Sequence, residues 1–153
     1  MKKRIGFQKQ RDPGTCGQRS LIHALLLLNH PISERQAFKA CDVTRKEVNE
    51  EGTDEKELKL ALKYFGHEYS VLDTYSRKAA HHFINKHLDA GRPIIICVQF
   101  FQHWAVLARR DNSKYVWIDS ADDKLIGSWK IQDILGWMRC LFRYYAIAIK
   151  PLP

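Results

Sequence analysis

The residue pattern of this chain changes at Pro93, and this change limits the folds that it can adopt. Before Pro93, apolar residues recur at helical spacing, and the apolar stretch at residues 20–29 predicts a buried helix that begins near Thr15 or Cys16. After it, the continuous apolar run at residues 94–101 has the length and β-branched composition of a central strand. Helices and strands that come in blocks are typical of α+β folds. We therefore expect a helical N-terminal half packed on a C-terminal antiparallel β-sheet.

Turn and capping residues divide the two halves into elements. A capping box at Ser33, a helical face after Asp54 and an amphipathic pattern at residues 76–88 each predict a helix in the first half. The second half is predicted to contain further strands at residues 103–109, 114–119, 124–128 and 144–149, and a brief helix at residues 131–138.

Length and composition are those of one ordinary globular domain. The chain has 153 residues, of which 45% are hydrophobic and 27% charged. It contains no internal repeat, low-complexity segment or linker. We expect a single domain over residues 1–153, with a helical lobe over about residues 1–90 and a β lobe over about residues 93–153.

The charge balance favours acidic partners. The formal net charge is +8, which suits an acidic peptide, an anionic membrane surface or nucleic acid. The basic residues are scattered, with short clusters only at residues 2–4 and 109–110, so the pattern does not favour a nucleic-acid interface. The leucine-rich stretch at residues 21–28 is far shorter than the ~20 residues that span a bilayer, and we expect no membrane segment.

The cysteine and histidine spacings do not favour a metal site. The chain has four cysteines and none of them forms a C-x-x-C pair, which is unlike zinc ribbons and thioredoxin-type redox sites. Cys97 lies in the apolar run after Pro93 and is predicted to be a core residue. His81, His82 and His87 have a helical spacing that a metal could use, but a solvated helix face is the simpler interpretation. We expect reduced thiols, a cytoplasmic setting and no metal or cofactor.

Four side chains occur in the order that a cysteine hydrolase uses. Cys16 opens the predicted buried helix, where the positive end of the helix dipole favours a thiolate. His103 begins one predicted strand and Asp119 ends the next, so that antiparallel pairing would set a carboxylate beside the imidazole. Gln10 lies six residues before Cys16 and can fold back to offer its amide to an oxyanion. These groups are a nucleophile, a base, an orienting group and a donor.

Each of these side chains also has a structural interpretation. They could be a core or capping cysteine, a strand histidine with satisfied hydrogen bonds, a turn aspartate with which Asp122 or Asp123 competes, and a surface glutamine. Two neighbours of the candidate site are predicted to bind substrate. Gly17 would leave space for a substrate backbone, and Trp104 would form core or a wall of the cleft.

The motifs resemble the C39 peptidase family, whose papain-like cysteine peptidase domains cleave the leader peptides of bacteriocins and other secreted peptides. Three positions depart from the family pattern: Thr15 stands where aspartate is common, Arg19 where a small residue is usual and Ser120 where proline is common. The segments that carry the resemblance are Gln10 with Cys16-Gly17, Gly52-Thr53 with the helix after it, residues 103–107, and residues 117–119.

The resemblance implies a papain-like fold and a cysteine peptidase. In such an enzyme Cys16 attacks the peptide carbonyl, His103 transfers the proton, Asp119 orients His103, and Gln10 stabilises the oxyanion. It implies a peptide or protein substrate, cut after two glycines as many such peptidases do, and a stand-alone protein rather than a processing exporter. Three alternatives stay open: an acyltransferase that uses the same triad, a C39-like peptide-binding module without turnover, and a basic nucleic-acid binder.

Overall fold

The computed structural model describes residues 6–99, 103–139 and 143–153. In these residues a short 3₁₀ turn at Pro13–Thr15 leads into the helices α1 Cys16–Leu27, α2 Glu34–Cys41, α3 Arg45–Glu51, α4 Glu55–Tyr64, α5 Arg77–Asp89 and α6 Ile131–Met138. The strands are β1 Tyr69–Thr74, β2 Ile94–Val98, β3 His103–Asp111, β4 Lys114–Ile118, β5 Ile126–Lys130 and β6 Tyr144–Ile149.

The six described strands form one sheet in the order β1-β6-β2-β3-β4-β5, and every neighbouring pair is antiparallel. The predicted α+β architecture, with a helical N-terminal half packed on an antiparallel sheet, is confirmed. The sheet also takes one strand from the first half, because β1 pairs with β6 at the edge. β1 was not predicted, because only Leu72 of this short strand is buried, which leaves little hydrophobic signal.

The central strand β2 is buried on both faces of the sheet. Ile95 and Cys97 belong to a core cluster shared with α1, α2 and α4, whereas Ile94, Ile96 and Val98 belong to a second cluster shared with α5 and α6. A strand covered on both faces needs apolar residues at successive positions. This explains the unbroken apolar run that the sequence analysis assigned to a central strand.

The predicted helix starts agree with the structure. Cys16 is the first residue of α1, and Ser33 and Asp54 are the N-caps of α2 and α4 with complete capping boxes. Ser76 caps α5 through its side chain. The helix α3 was not predicted as such, although Thr44 gives it a capping box as well. None of the helices in the described residues is long and apolar enough to cross a membrane.

The strand ends differ slightly from the predictions. β2 ends at Val98, because Gln99 adopts a left-handed backbone with a φ of 54° and donates its N–H to the carbonyl of Trp137. The predicted continuation of this strand through residues 100–101 lies outside the described residues. β5 begins two residues later than predicted, at Ile126.

Candidate functional site

A one-residue bulge in β3 decides how His103 and Asp119 are placed. The pairing of β3 with β4 shifts between Leu107 and Arg109, and beyond the shift Leu107 pairs with Trp117. Because side chains alternate along a strand, His103 and Asp119 then fall on the same side of the ladder. Without the bulge, the register would send the two side chains to opposite faces. The bulge therefore makes their contact geometrically feasible.

His103 and Asp119 form a buried hydrogen bond. The distance from His103 Nε2 to Asp119 Oδ1 is 2.6 Å, and both residues are 7% exposed. Asp119 Oδ1 also accepts the backbone N–H of Ala121 at 2.9 Å. Because Nε2 is occupied by the carboxylate, Nδ1 is the ring nitrogen that remains for a second partner.

The surroundings of His103 favour the imidazolium. Burial lowers the pKa of His103, but hydrogen bonds with Asp119 and Cys16, together with their charges, outweigh it and raise this pKa from 6.5 to about 9. Burial raises the pKa of Asp119, and hydrogen bonds from His103, Ala121 and Trp117 more than offset it and lower this pKa below its ordinary value. The pair thus holds an imidazolium against a carboxylate at neutral pH.

Cys16 lies at the N-terminus of α1 beside this pair. It is 5% exposed and is the first helical residue after the 3₁₀ turn. Its thiol lies close enough to the His103 side chain to contribute to the raised pKa of that histidine. The positive end of the α1 dipole and an adjacent imidazolium both favour negative charge on sulfur.

Gln10 is tied to the residue that follows Asp119. Its backbone N–H donates to the carbonyl of Ser120 at 2.9 Å, and the Ser120 hydroxyl donates to Gln10 Oε1 at 2.8 Å. The amide nitrogen Nε2 donates one hydrogen to the carbonyl of Pro13 at 3.1 Å. With Oε1 held by Ser120, the amide cannot flip without losing a hydrogen bond, and the second hydrogen on Nε2 is left for another acceptor. Ser120, a departure from the family pattern, therefore orients the amide.

His23 holds the segment that carries Gln10. It lies seven residues after Cys16 on α1, is 1% exposed, and accepts the backbone N–H of Gln8 on Nε2 at 3.1 Å. Burial and the charge of Arg19 lower the pKa of His23 to about 4, so that its ring is neutral and can accept this bond. This role of His23 was not predicted, because its partner is a backbone group that no motif records.

Arg19 joins the start of α1 to neighbouring elements. It is 6% exposed and forms an ion pair with Glu34 at the start of α2. Glu34 also pairs with Arg45 of α3, and Arg45 pairs with Asp12 in the turn before Cys16. The second departure from the family pattern is thus a buried arginine in a charge network that surrounds the turn before the candidate nucleophile.

Gly17 packs against Thr53 in the loop before α4. A Cβ atom at Gly17 would lie 2.5 Å from Thr53 Cβ, closer than any real contact of this kind. Thr53 is held from two sides: its hydroxyl donates to Gln18 Oε1 at 3.0 Å, and its carbonyl accepts the indole N–H of Trp104 at 2.7 Å. Trp104 itself is 5% exposed and packs edge-to-face with Tyr145. These contacts give Gly17 and Trp104 structural roles, and their predicted contact with substrate stays a prediction.

Replacement of Gly17 by alanine is expected to destabilise the fold. The added methyl group overpacks a site that the Thr53 hydrogen bonds hold in place, which costs about 1–3 kcal/mol of the free energy of unfolding. Gly136 in α6 is the matched control, because a Cβ there meets nothing within 4 Å. Gly136→Ala should stabilise the protein by about 0.5–1 kcal/mol. Urea denaturation measures both values, and a stabilising effect of Gly17→Ala would contradict the tight contact.

The predicted site residues lie in one region of the molecule. A hydrogen bond joins His103 to Asp119, Cys16 influences the pKa of the same histidine, and the bond from Ser120 brings Gln10 to the residue after Asp119. Of the competing carboxylates, Asp122 accepts the backbone N–H of Lys124 and Asp123 pairs with Lys9, whereas Asp119 bonds to the imidazole. In the described parts of the chain, no group of three or more histidine, cysteine or acidic side chains could hold a metal ion.

Comparisons with known proteins identify the fold. No protein-family model matches the sequence, and no curated protein matches it. Solved structures do match. The peptidase domain of Streptococcus ComA, a bi-functional ABC transporter involved in quorum sensing, aligns with 97% of this chain and 99% of that chain, with a TM-score of 0.69 and 15% identity.

Two further structures agree. A double glycine motif protease from an AMS/PCAT transporter, solved in complex with the leader peptide, aligns with 97% of this chain and 93% of that chain, with a TM-score of 0.65 and 17% identity. A Bacillus anthracis protein described as a C39-like peptidase aligns with 96% of this chain and 94% of that chain, with a TM-score of 0.68 and 18% identity. At these identities the likeness establishes the fold, and the resemblance seen in the motifs is confirmed at that level: the chain has the papain-like fold of C39 peptidase domains.

Proposed function

We propose that this protein is a cysteine peptidase of the leader-processing type, acting as a single domain. The observation that carries the proposal is the buried hydrogen bond of 2.6 Å between His103 and Asp119, next to a helix that begins with Cys16. A thiol at a helix N-terminus with an imidazole and a carboxylate in series is the arrangement that nucleophilic acyl transfer requires.

The proposed reaction begins with proton transfer from the Cys16 thiol to Nδ1 of His103, since Nε2 is held by Asp119. The thiolate attacks the carbonyl carbon of the scissile peptide and a tetrahedral oxyanion forms. The second hydrogen of Gln10 Nε2 and the backbone N–H of Cys16 are the donors for that oxyanion. Ser120 holds the amide in the orientation that presents Nε2.

The tetrahedral intermediate collapses as its carbon–nitrogen bond breaks. The proton on His103 Nδ1 passes to the leaving amine, and a thioester with Cys16 remains. Water then attacks the thioester carbonyl while His103 takes a proton from it. The carboxylic acid leaves and the Cys16 thiol is restored. Asp119 stays ionised throughout and stabilises the imidazolium in both halves of the reaction.

A peptide substrate is the simplest match to this chemistry. One solved structure with the same fold is a double glycine motif protease in complex with a leader peptide. We extend that specificity to this chain and propose cleavage after two glycines of a leader segment. An acyltransferase would use the same four side chains, and it differs only in an amine or thiol that replaces water in the second half.

The oriented amide of Gln10 argues against the alternative function of a peptide-binding module without turnover. A peptide-binding module without turnover needs no oriented oxyanion donor, yet Gln10 is held by three hydrogen bonds to Ser120 and Pro13. These bonds have no evident purpose in a cleft that only binds. They favour an enzyme over a binding module.

Cleavage of a peptide directly after a Gly-Gly segment tests the proposed function. The wild-type protein should release the two expected fragments, and hydroxylamine should intercept the thioester as a hydroxamate. Gln10→Ala should lower kcat about 10²-fold, the usual effect of one lost oxyanion donor. Lys9→Ala is the control, because Lys9 is an exposed neighbour whose charge pairs with Asp123. Mass spectrometry of the products measures all of these, and an unchanged kcat in Gln10→Ala would contradict the role of the amide.

A further inference from the structure

A cavity of about 280 Å³ is lined in part by Asp119, and the chemistry proposed above uses none of the other described residues that line it. Its walls include Trp117 of β4, Trp129 of β5 and Trp137 of α6. The Trp137 ring makes edge-to-face contacts with Trp117 at 5.4 Å and with Trp129 at 5.0 Å between ring centroids. Trp129 and Trp137 are 37% and 39% exposed. The cavity therefore presents aromatic surface to solvent.

The same cavity carries negative charge. Its lining includes the carboxylates of Asp119 and Asp122, together with Val98 and Gln99, and none of the described residues that line it is cationic. Asp122 is half-buried, and its Oδ1 accepts the backbone N–H of Lys124 at 3.0 Å, which holds the carboxylate at this position. The His103 imidazolium balances the charge of Asp119, so Asp122 supplies the negative charge of the cavity in a protein whose net charge is +8.

The aromatic wall depends on a glycine. Gly127 pairs with Trp117 across β4 and β5, and a Cβ atom at Gly127 would lie 2.7 Å from Trp129 Nε1. The bare backbone at Gly127 lets the Trp129 indole lie directly against the strand. Trp117, which also lines the cavity, contributes to the lowered pKa of Asp119. The cavity is thus built from packed elements and not from loose side chains.

Asp119 joins the cavity to the proposed reaction, because the same carboxylate is bonded to His103. In peptide hydrolysis the protonated base gives its proton to the leaving amine, so the residues after the scissile bond lie on the histidine side of the nucleophile. We propose that this cavity is a subsite for a basic side chain, lysine or arginine, at the first or second substrate position after the scissile bond. This proposal rests on the proposed function and names a substrate class for it.

The chemistry of the lining explains the preference. An ammonium or guanidinium group near the face of an indole is attracted by the ring quadrupole, and the Asp122 carboxylate adds a Coulombic attraction. Norleucine has the length of lysine without its charge and would gain only apolar contact. An acidic side chain would be repelled by Asp122. The net charge of +8 suggests acidic partners for the whole protein, whereas this subsite is expected to prefer a basic side chain.

A binding experiment tests the cavity without turnover. The full chain carrying Cys16→Ala is titrated with Nα-acetyl-lysine amide, Nα-acetyl-norleucine amide and Nα-acetyl-glutamate amide, and tryptophan fluorescence is followed. The lysine probe should bind about tenfold more tightly than the norleucine probe, and the glutamate probe should bind least. Equal binding of lysine and norleucine, or no saturable change with lysine, would overturn the proposal.

Variants locate the binding in this cavity. Asp122→Asn and Trp129→Leu should each weaken the lysine probe about three- to tenfold, and thermal unfolding checks that each variant is folded. Asp123→Asn is the matched control, because it removes the same charge one residue away, where the carboxylate pairs with the exposed Lys9 instead of lining the cavity. A loss of lysine binding in Asp123→Asn equal to that in Asp122→Asn would mean that only the general field attracts the probe, and would overturn the proposal.

Cleavage assays separate failure of the subsite from failure of the proposed function. Three peptides share one Gly-Gly segment and carry two lysines, two norleucines or two glutamates directly after the scissile bond. The lysine peptide should have a kcat/KM about tenfold above that of the norleucine peptide. Equal rates would overturn the subsite and leave the peptidase intact. If none of the three peptides is cut, the peptidase proposal fails, and the binding of the lysine probe still decides whether the cavity takes a cation.

Discussion

Replacing Cys16 by alanine is expected to abolish peptide cleavage and to leave the fold intact. The substitution removes the only atom in the proposed mechanism that bonds to the substrate, so kcat should fall by about 10⁴-fold or more. The fold should survive because alanine is a better helix former than cysteine and the lost volume is one sulfur atom at the start of α1. Product mass and the thermal unfolding midpoint measure the two effects.

Cys41→Ala is the matched control for this experiment. Cys41 is also a buried helical cysteine, 1% exposed, but burial and the charge of Glu57 raise its pKa to about 12, and its thiol stays protonated. Turnover should survive this substitution. Cleavage that persists in Cys16→Ala, with the wild-type products, would show that another group attacks the peptide.

Replacing His103 by alanine is expected to cost almost as much as the loss of Cys16. Without the ring, no group in the site accepts the thiol proton or returns it to the leaving amine. Asp119→Ala should cost less, since the first residues of β3 still hold the ring near Cys16. Steady-state kinetics of the two variants measures this order. A larger loss in Asp119→Ala than in His103→Ala would contradict the account and indicate a different third residue.

The raised pKa of His103 predicts how kcat/KM depends on pH. The folded-state pKa of His103 is raised from 6.5 to about 9, so the imidazolium that protonates the leaving amine persists to that pH. We expect kcat/KM to fall as the pH rises through about 9. In Asp119→Ala burial outweighs the remaining attraction, and this alkaline limb should move to lower pH. The contribution of the protonated ring to the free energy of unfolding is likewise complete below pH 6.5 and disappears as the pH rises through about 9.

Local signals were sufficient to predict most of the elements. The capping residues Ser33, Asp54 and Ser76 act through hydrogen bonds within four residues, so their sequence context contains the whole interaction. The unbroken apolar run after Pro93 reports burial on both faces of β2. The edge strand β1 was missed because its formation depends on pairing with β6, which lies about 75 residues later.

The arrangement of the site depends on contacts that the sequence does not display. The separation of 16 residues between His103 and Asp119 suited two strands and a turn. The bulge between Leu107 and Arg109, however, decides that the two side chains lie on the same face of the sheet. A bulge adds one residue without a distinctive motif. Register across a whole ladder, and not a local pattern, determines this part of the site.

The hydrogen bonds that hold Gln10 and its segment in place could not be predicted from the sequence either. From the sequence Ser120 was a departure from the family pattern, and only the structure shows its hydroxyl on Gln10 Oε1. His23 was one of seven histidines, and its bond to the backbone of Gln8 leaves no trace in the sequence. The chemical groups of the site could be predicted from residue type and order, whereas the side chains that position them could not.

The rate of iodoacetamide alkylation at Cys16 as a function of pH, read by peptide mass in the wild type and in His103→Ala, tests the central claim most directly. Iodoacetamide reacts with the thiolate, so the rate reports whether the thiol proton has moved to His103. We predict that Cys16 is labelled rapidly near pH 6 while Cys41 is not, and that His103→Ala loses this low-pH reactivity. Slow labelling of Cys16 near pH 6, or an equal rate in the variant, would show that the thiolate and imidazolium are not paired, and the peptide-binding module would replace the peptidase as the better account.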